Sequence, residues 1–156
     1  MKFIALCALM LVAMTAYAEV VPTTSAQIVA NKDSPTETDL VLTISNPTKT
    51  AVSVLLPNDD DDRFEMLNLK VTNKEGAPVA ESDKAKAFKA REVISGSSAV
   101  WDIDPGKKHE VIIPLSIYFC LPTNSEYTVT GTADNMVDMG DKVIPVFFKV
   151  TKAADN

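Results

Sequence analysis

The sequence is poor in the side chains from which catalytic centres are built. It has one histidine, His109, and two cysteines, Cys7 and Cys120, among 156 residues. Serine–histidine and cysteine–histidine catalysis both need that single imidazole, and a zincin needs a second histidine where Ile113 stands. His109 lies in the polar segment 106–110, which is typical of a solvated turn at the start of a strand. We therefore predict that the protein is not an enzyme.

Long apolar runs are also lacking, apart from a short one at the start of the chain. Residues 3–14 are apolar and follow Lys2, and the tripeptide Ala-Tyr-Ala at 16–18 supplies the small residues that signal peptidase accepts. The apolar run is shorter than the roughly 20 residues that a membrane-spanning helix needs. We expect residues 1–18 to be a cleaved secretory signal, and the protein to be secreted or periplasmic with no membrane span.

Positive charge is scarce, because 15 lysines and arginines stand against 21 aspartates and glutamates, a net charge of -6. Lys2 is the only charged residue of the predicted signal, so its loss changes the charge from -6 to -7. A negative protein is a poor partner for nucleic acids and for anionic membrane surfaces. The sequence therefore predicts neither as a partner.

A single domain is expected for residues 19–156, since 156 less 18 leaves 138 residues. Cys120 is the only cysteine in that range, so no disulfide can form within one chain. We expect Cys120 to be a small buried side chain. The alternatives are a bridge between chains and a reactive thiol.

Short segments in which apolar and polar side chains alternate make up most of the chain, and each ends at Pro, Gly, Asn or Asp. This pattern predicts β-strands at 40–45, 51–56, 64–72, 99–103, 110–119, 127–132 and 142–151. Asn73 to Gly76 is predicted to close a hairpin, and the turn at 104–107 is predicted to join two antiparallel strands. The Lys- and Ala-rich segment 81–92 is compatible with a helical turn or with a long loop.

The number and spacing of these strands predict the fold class. Roughly seven to nine strands at intervals of roughly 8 to 12 residues, without a helix for parallel crossovers, favour an all-β, immunoglobulin-like antiparallel β-sandwich. We expect order over about residues 24–151. Tyr127 begins a late strand and is a candidate for the corner tyrosine of such sandwiches, or else an ordinary tyrosine at the edge of the core.

Two polar segments are candidate metal sites. Four carboxylates, Asp59, Asp60, Asp61 and Asp62, follow one another in what we expect to be a loop, and calcium prefers several oxygen ligands. The spacing of an EF-hand is absent, and a solvated loop that blocks edge pairing is the alternative. A second polar loop is predicted at 134–141, where Met136 and Met139 are potential copper(I) ligands or gap-filling side chains.

Several short segments occur in the order found in a known domain. They are LVLTISN at 40–46, AVSVL at 51–55, FEMLNLKVT at 64–72, GAPV at 76–79, IDPG at 103–106, VIIPL at 111–115 and YTV at 127–129. Together they resemble the N-terminal propeptide domain of deuterolysin-type zinc metalloendopeptidases. In that family the domain is an immunoglobulin-like inhibitory chaperone that precedes the protease. This sequence ends at Asn156 without a zinc-binding catalytic domain, so the resemblance implies a stand-alone domain of propeptide type.

A weaker resemblance involves one loop. Asn46-Pro47-Thr48 is similar to the beginning of a loop that chagasin-type cysteine protease inhibitors use, although Lys49 and Thr50 differ from the rest of that motif. We predict an exported, non-enzymatic binding module whose partner is another exported protein, most concretely a protease that it inhibits. The alternatives are a calcium-binding exported protein that uses Asp59–Asp62, and a structural or assembly subunit.

Turns on a rigid sandwich present their backbone to a partner at little ordering cost. We therefore expect two turns to form the partner-binding surface, with the residues Asn46, Pro47, Thr48, Lys49, Thr50, Pro105, Gly106, Lys107 and Lys108.

Overall fold

The computed structural model describes residues 19–34, 37–58, 60–90, 98–123 and 125–154. The predicted signal at 1–18 lies outside the described residues. The described residues form eight strands and three short helices. In chain order these are β1 (Thr23–Ala30), β2 (Thr38–Ser45), β3 (Val52–Pro57), α1 (Asp60–Met66), β4 (Lys70–Asn73), α2 (Asp83–Lys89), β5 (Ser98–Ile103), β6 (Lys108–Pro114), α3 (Leu115–Tyr118), β7 (Tyr127–Asp138) and β8 (Val143–Lys152).

The strands form two antiparallel sheets that share one core. One sheet has the order β1-β2-β6, and the other has β8 on one side of β7 and both β4 and β3 on the opposite side, with β5 beyond β3. The orders β1-β2-β6 and β8-β7-β3 correspond to strands A-B-E and G-F-C of an immunoglobulin domain. The predicted immunoglobulin-like antiparallel β-sandwich is therefore confirmed.

The core follows from the alternation seen in the sequence. Leu40, Leu42 and Ile44 of β2 are completely buried, and they belong to the same hydrophobic cluster as Val54 of β3 and Val146 of β8. Burying a side chain of this size contributes roughly 1.5 to 3 kcal/mol, so these stripes hold the two sheets together. None of the helices in the described part of the chain has the length and apolarity needed to cross a membrane.

The predicted strand at 64–72 is wrong over its first part, because helix α1 runs from Asp60 to Met66. The aspartates at 60–62 therefore form the first turn of a helix, where negative side chains are favoured, and the predicted acidic loop is wrong for them. Phe64 of α1 is buried, and so is Leu67 just after the helix, where its N–H still donates to the backbone oxygen of Arg63 at 3.1 Å. Their spacing of three places both on the side that faces the core. In the sequence, this helical spacing overlaps with the alternation of apolar residues that continues into β4, which is why a strand was predicted from residue 64.

The segment that the sequence left open folds as helix α2. Ser82 caps this helix, since its Oγ accepts a hydrogen bond from the backbone N–H of Ala85 at 3.2 Å. Ala85 and Phe88 are buried three residues apart, which ties the helix to the core. Residues 91 and 92 of that segment lie outside the described residues.

We predicted that the turn at 104–107 joins two paired antiparallel strands, and this prediction is wrong. β5 pairs with β3 and β6 pairs with β2, so this turn carries the chain from one sheet to the other. Alternation identifies a strand but not its partner, which explains the error. The predicted strand at 110–119 is also too long, because β6 ends at Pro114 and α3 follows. At 73–76 a tight turn does fold the chain back, and a bridge pairs Thr72 with Pro78.

The predicted polar loop at 134–141 is mostly strand. β7 continues to Asp138 through an irregularity between Ala133 and Val137. Met136 is completely buried, so the gap-filling alternative holds for this methionine. β1 begins at Thr23 and is a strand that the sequence patterns had not indicated.

Candidate functional site

The two predicted partner-binding turns lie at the same end of the sandwich. The last residue of β2, Ser45, pairs with the first residue of β6, Lys108. The first residue of β3, Val52, pairs with the last residue of β5, Ile103. The β2–β3 loop and the β5–β6 turn therefore lie next to each other at one end of the sandwich.

Asn46 joins these two turns through its side chain. Its Nδ2 donates hydrogen bonds to the backbone oxygens of Thr50 at 2.8 Å and of Ile103 at 2.7 Å. Its Oδ1 accepts from the backbone N–H of Thr48 at 3.0 Å and from the Oγ1 of Thr48 at 2.6 Å. Asn46 is only 1% exposed, so it supports the surface from below and is not itself available to a partner.

The backbone of Asn46 makes two further connections to the β5–β6 turn. Its N–H donates to the oxygen of Lys107 at 2.9 Å, and its oxygen accepts from the N–H of Gly106 at 2.7 Å. Gly106 has a φ of 72°, a conformation that glycine adopts at no steric cost. These bonds fix the loop and the turn as one unit, which we call the loop end and which comprises the accessible residues 47–50 and 105–108.

A third turn lies at the loop end. The sequence predicted it only as part of the polar loop at 134–141 and not as part of the partner-binding surface. The end of β7 pairs with the start of β3 and with the start of β8, so the connection 139–142 projects in the same direction. The N–H of Met139 donates to the oxygen of Lys142 at 3.0 Å, and Gly140 has a φ of 89°. The tripeptide Met-Gly-Asp at 139–141 indicates a turn, but the position of this turn relative to the other two depends on the sheet order.

Exposed lysines give the loop end a positive character within an acidic protein. Lys49, Lys107 and Lys108 are all exposed. Lys108 also donates to the Oε1 of Glu110 at 2.9 Å. This hydrogen bond, together with the positive charge of Lys108, holds the pKa of the exposed Glu110 carboxyl below its ordinary value.

The acidic segment considered for calcium is engaged within the protein. Asp60 pairs with Arg63 at 3.0 Å, and Asp61 pairs with Lys84 at 3.0 Å and accepts from the hydroxyl of Tyr118 at 2.7 Å. Asp59 is not among the described residues. Within the part of the chain that the structure describes, no group of three or more His, Cys, Asp or Glu side chains is arranged to hold a metal ion.

The single histidine and the single described cysteine have surroundings that the sequence did not indicate. His109 lies within β6, and its ring stacks on that of Trp101 with centroids 5.0 Å apart. Cys120 is exposed, so the expectation of a buried cysteine is wrong. It follows the buried Phe119 in extended backbone, where successive side chains point in opposite directions.

Comparison with known proteins adds no relative: no protein-family model matches the chain, and no curated protein matches it. The resemblance to deuterolysin-type propeptides therefore stays a prediction.

Proposed function

We propose that the protein is an exported, non-enzymatic binding module that presents the loop end to another exported protein, and that this partner is a protease which the module inhibits. The observation that carries the proposal is the connection of both turns through Asn46. A surface assembled before binding loses little conformational entropy when a partner docks.

Rigidity also distinguishes an inhibitor from a substrate. A flexible exposed loop is the preferred site of proteolytic cleavage, whereas a loop held by internal hydrogen bonds resists the distortion that cleavage requires. In the β2–β3 loop, Pro47 and Lys49 are exposed while Thr48 and Thr50 are bound through Asn46. This arrangement suits a loop that enters a cleft and remains intact.

The two resemblances found in the sequence agree with this proposal. The propeptide domain of deuterolysin-type proteases is an inhibitory chaperone, and chagasin-type inhibitors use a loop that begins like 46–48 on a similar sandwich. Lys49 and Thr50 differ from that motif, so a cysteine protease is not favoured over a metalloprotease.

The direct test is an inhibition assay with the chain 19–156 against a panel of secreted metallo- and cysteine proteases. We expect at least one protease to be inhibited, and Lys49→Glu to weaken the inhibition by about tenfold, because it reverses a charge on the contacting surface. Lys74→Glu is the matched control, since Lys74 is an exposed lysine in the turn after β4, at the opposite end of β7. A chain that leaves every protease of the panel fully active would remove the proposal.

A second readout separates inhibition from competition by a substrate. We expect the chain to stay intact on a denaturing gel after prolonged incubation with the inhibited protease. Cleavage within residues 46–50 at the rate of an ordinary substrate would contradict the role that we assign to Asn46.

A further inference from the structure

A cleft of about 470 Å³ runs along the side of the sandwich where each sheet ends. β5 is the outermost strand of one sheet and β6 is the outermost strand of the other, within the described residues. We call this the edge cleft; it is lined by residues of β6, by Asp60 and Arg63 of α1, and by Trp101, Leu56, Asp39 and Asn31. Outer strands carry backbone N–H and C=O groups that can pair with an added strand.

An incompletely bonded carboxylate lines the edge cleft. Asp39 is only 8% exposed, and its Oδ2 accepts a hydrogen bond from the Nδ2 of Asn31 at 3.0 Å. Its Oδ1 is buried and has no hydrogen-bond partner in the parts of the chain that the structure describes. Leaving such an acceptor unsatisfied costs free energy, so this position favours a ligand that brings a donor.

The charge of the edge cleft specifies a positive donor. Asp39, Asp60 and Glu110 line it together with a single arginine, Arg63. Arg63 is already bonded to Asp60 at 3.0 Å and to the backbone oxygen of Pro57 at 2.8 Å. Glu110 is likewise bonded to Lys108 at 2.9 Å. Among the described residues, Asp39 is therefore the carboxylate of the edge cleft that has no ion-pair partner.

The remaining walls suit the side chains of an extended peptide. Trp101 is 44% exposed and Ile112 is 54% exposed, and both line the edge cleft. The stacking of Trp101 on His109 fixes the indole ring, which can pack against a side chain of the peptide. Asp39 pairs with Pro114, five residues after His109 in β6, so a different side chain of an extended peptide meets Asp39. An arginine fits Asp39 better than a lysine, because its fork of donors can bond a carboxylate at two points.

We propose that the edge cleft binds an extended, arginine-containing segment of a partner protein, which pairs with the outer edge of β6 and places its guanidinium against Asp39. Addition of a strand to an open sheet edge is an established mode of peptide recognition, in which the backbone supplies affinity and the side chains supply specificity. The edge cleft adjoins the loop end through the bond between Glu110 and Lys108, but the two surfaces share no residue, so this inference does not depend on the proposed inhibition.

The test uses a fluorescent, end-capped hexapeptide that alternates valine with threonine around one central arginine. We expect it to bind the chain 19–156, and the same peptide with citrulline in place of arginine to bind about tenfold more weakly, since citrulline keeps the shape but not the charge. Agmatine, which carries the guanidinium without a peptide backbone, should bind more weakly still.

Two variants locate the binding site. Asp39→Asn and, separately, Trp101→Ala are expected to weaken the arginine peptide by about tenfold each. Asp134→Asn is the matched control, because Asp134 is an exposed aspartate of β7 that does not line the edge cleft. Trp101 is exposed on an outer strand, so its variant remains informative if Asp39→Asn unfolds.

Four results would overturn the proposal. Three concern the ligands: the absence of binding at about 1 mM peptide, equal binding of the arginine and citrulline peptides, and agmatine binding as tightly as the hexapeptide. The fourth is unchanged affinity in Trp101→Ala, which would place the peptide elsewhere on the surface.

Discussion

Asn46→Ala is the substitution that most directly weakens the connection between the two predicted turns. It removes the donor that reaches the buried oxygen of Ile103, the donor that reaches Thr50, and the acceptor for Thr48. The backbone bonds of residue 46 to the β5–β6 turn are still possible in the variant. The perturbation is therefore specific to the side-chain connection.

The expected loss of stability follows from the burial of these partners. A buried carbonyl left without a donor, here that of Ile103, costs about 1 to 3 kcal/mol, and each partly buried hydrogen bond contributes about 0.5 to 1.5 kcal/mol. With one such bond each to Thr50 and Thr48, the sum is about 2 to 6 kcal/mol, out of the roughly 5 to 15 kcal/mol that stabilises a typical domain. The melting temperature should fall by roughly 6 to 18 °C.

The assay is chemical and thermal unfolding followed by circular dichroism, with two further variants. Asn46→Asp keeps an acceptor for Thr48 but offers no donor to Ile103, so it should lose most of the same free energy. Asn135→Ala is the control, because Asn135 is an exposed asparagine in β7 and should change the free energy of unfolding by less than about 0.5 kcal/mol. If Asn46→Ala also costs less than about 0.5 kcal/mol, the side chain does not join the turns as we describe.

Three other predictions concern the core and the surface. Gly131→Ala should lose about 1 to 3 kcal/mol of unfolding free energy, because a Cβ there would overlap the ring of Phe148. Adding Phe148→Leu to this variant should restore part of the loss, and an unchanged melting temperature in Gly131→Ala alone would refute the prediction. Cys120 should react with Ellman's reagent in the native chain 19–156 as fast as a free thiol, whereas slow reaction would contradict its exposure. Tyr118→Phe should lose about 1 kcal/mol in urea titration by removing the hydroxyl that donates to Asp61, and a stabilised variant would contradict that bond.

The sandwich could be predicted from the sequence because its strands have one buried face. In β2 and β8 the alternation of apolar residues, such as Leu40, Leu42 and Val146, is regular enough to identify each strand and its inner face. Helix α1 could not be predicted in the same way. Its buried residue Phe64, and Leu67 just after the helix, are followed by an alternating segment, so two periodicities overlap within a few residues.

The pairing of the strands could not be predicted from local sequence patterns. The turn at 104–107 has the composition of a hairpin, yet it connects two sheets, because the partners of β5 and β6 are strands far away in the sequence. For the same reason the two predicted partner-binding segments could be identified as turns, but the connection between them through Asn46 could not be predicted. Nothing in the sequence indicated that Asp39 lines a cleft, since polar residues are common near the start of a strand.

The claim on which the account depends is that the two turns of the loop end form one rigid unit. Amide hydrogen exchange in the native chain, measured by NMR, tests it most directly. We predict that the amides of Gly106 and Thr48, which donate to Asn46, exchange at least about 100-fold more slowly than unprotected amides. Exchange of both amides at the rates of an unstructured peptide would contradict the claim.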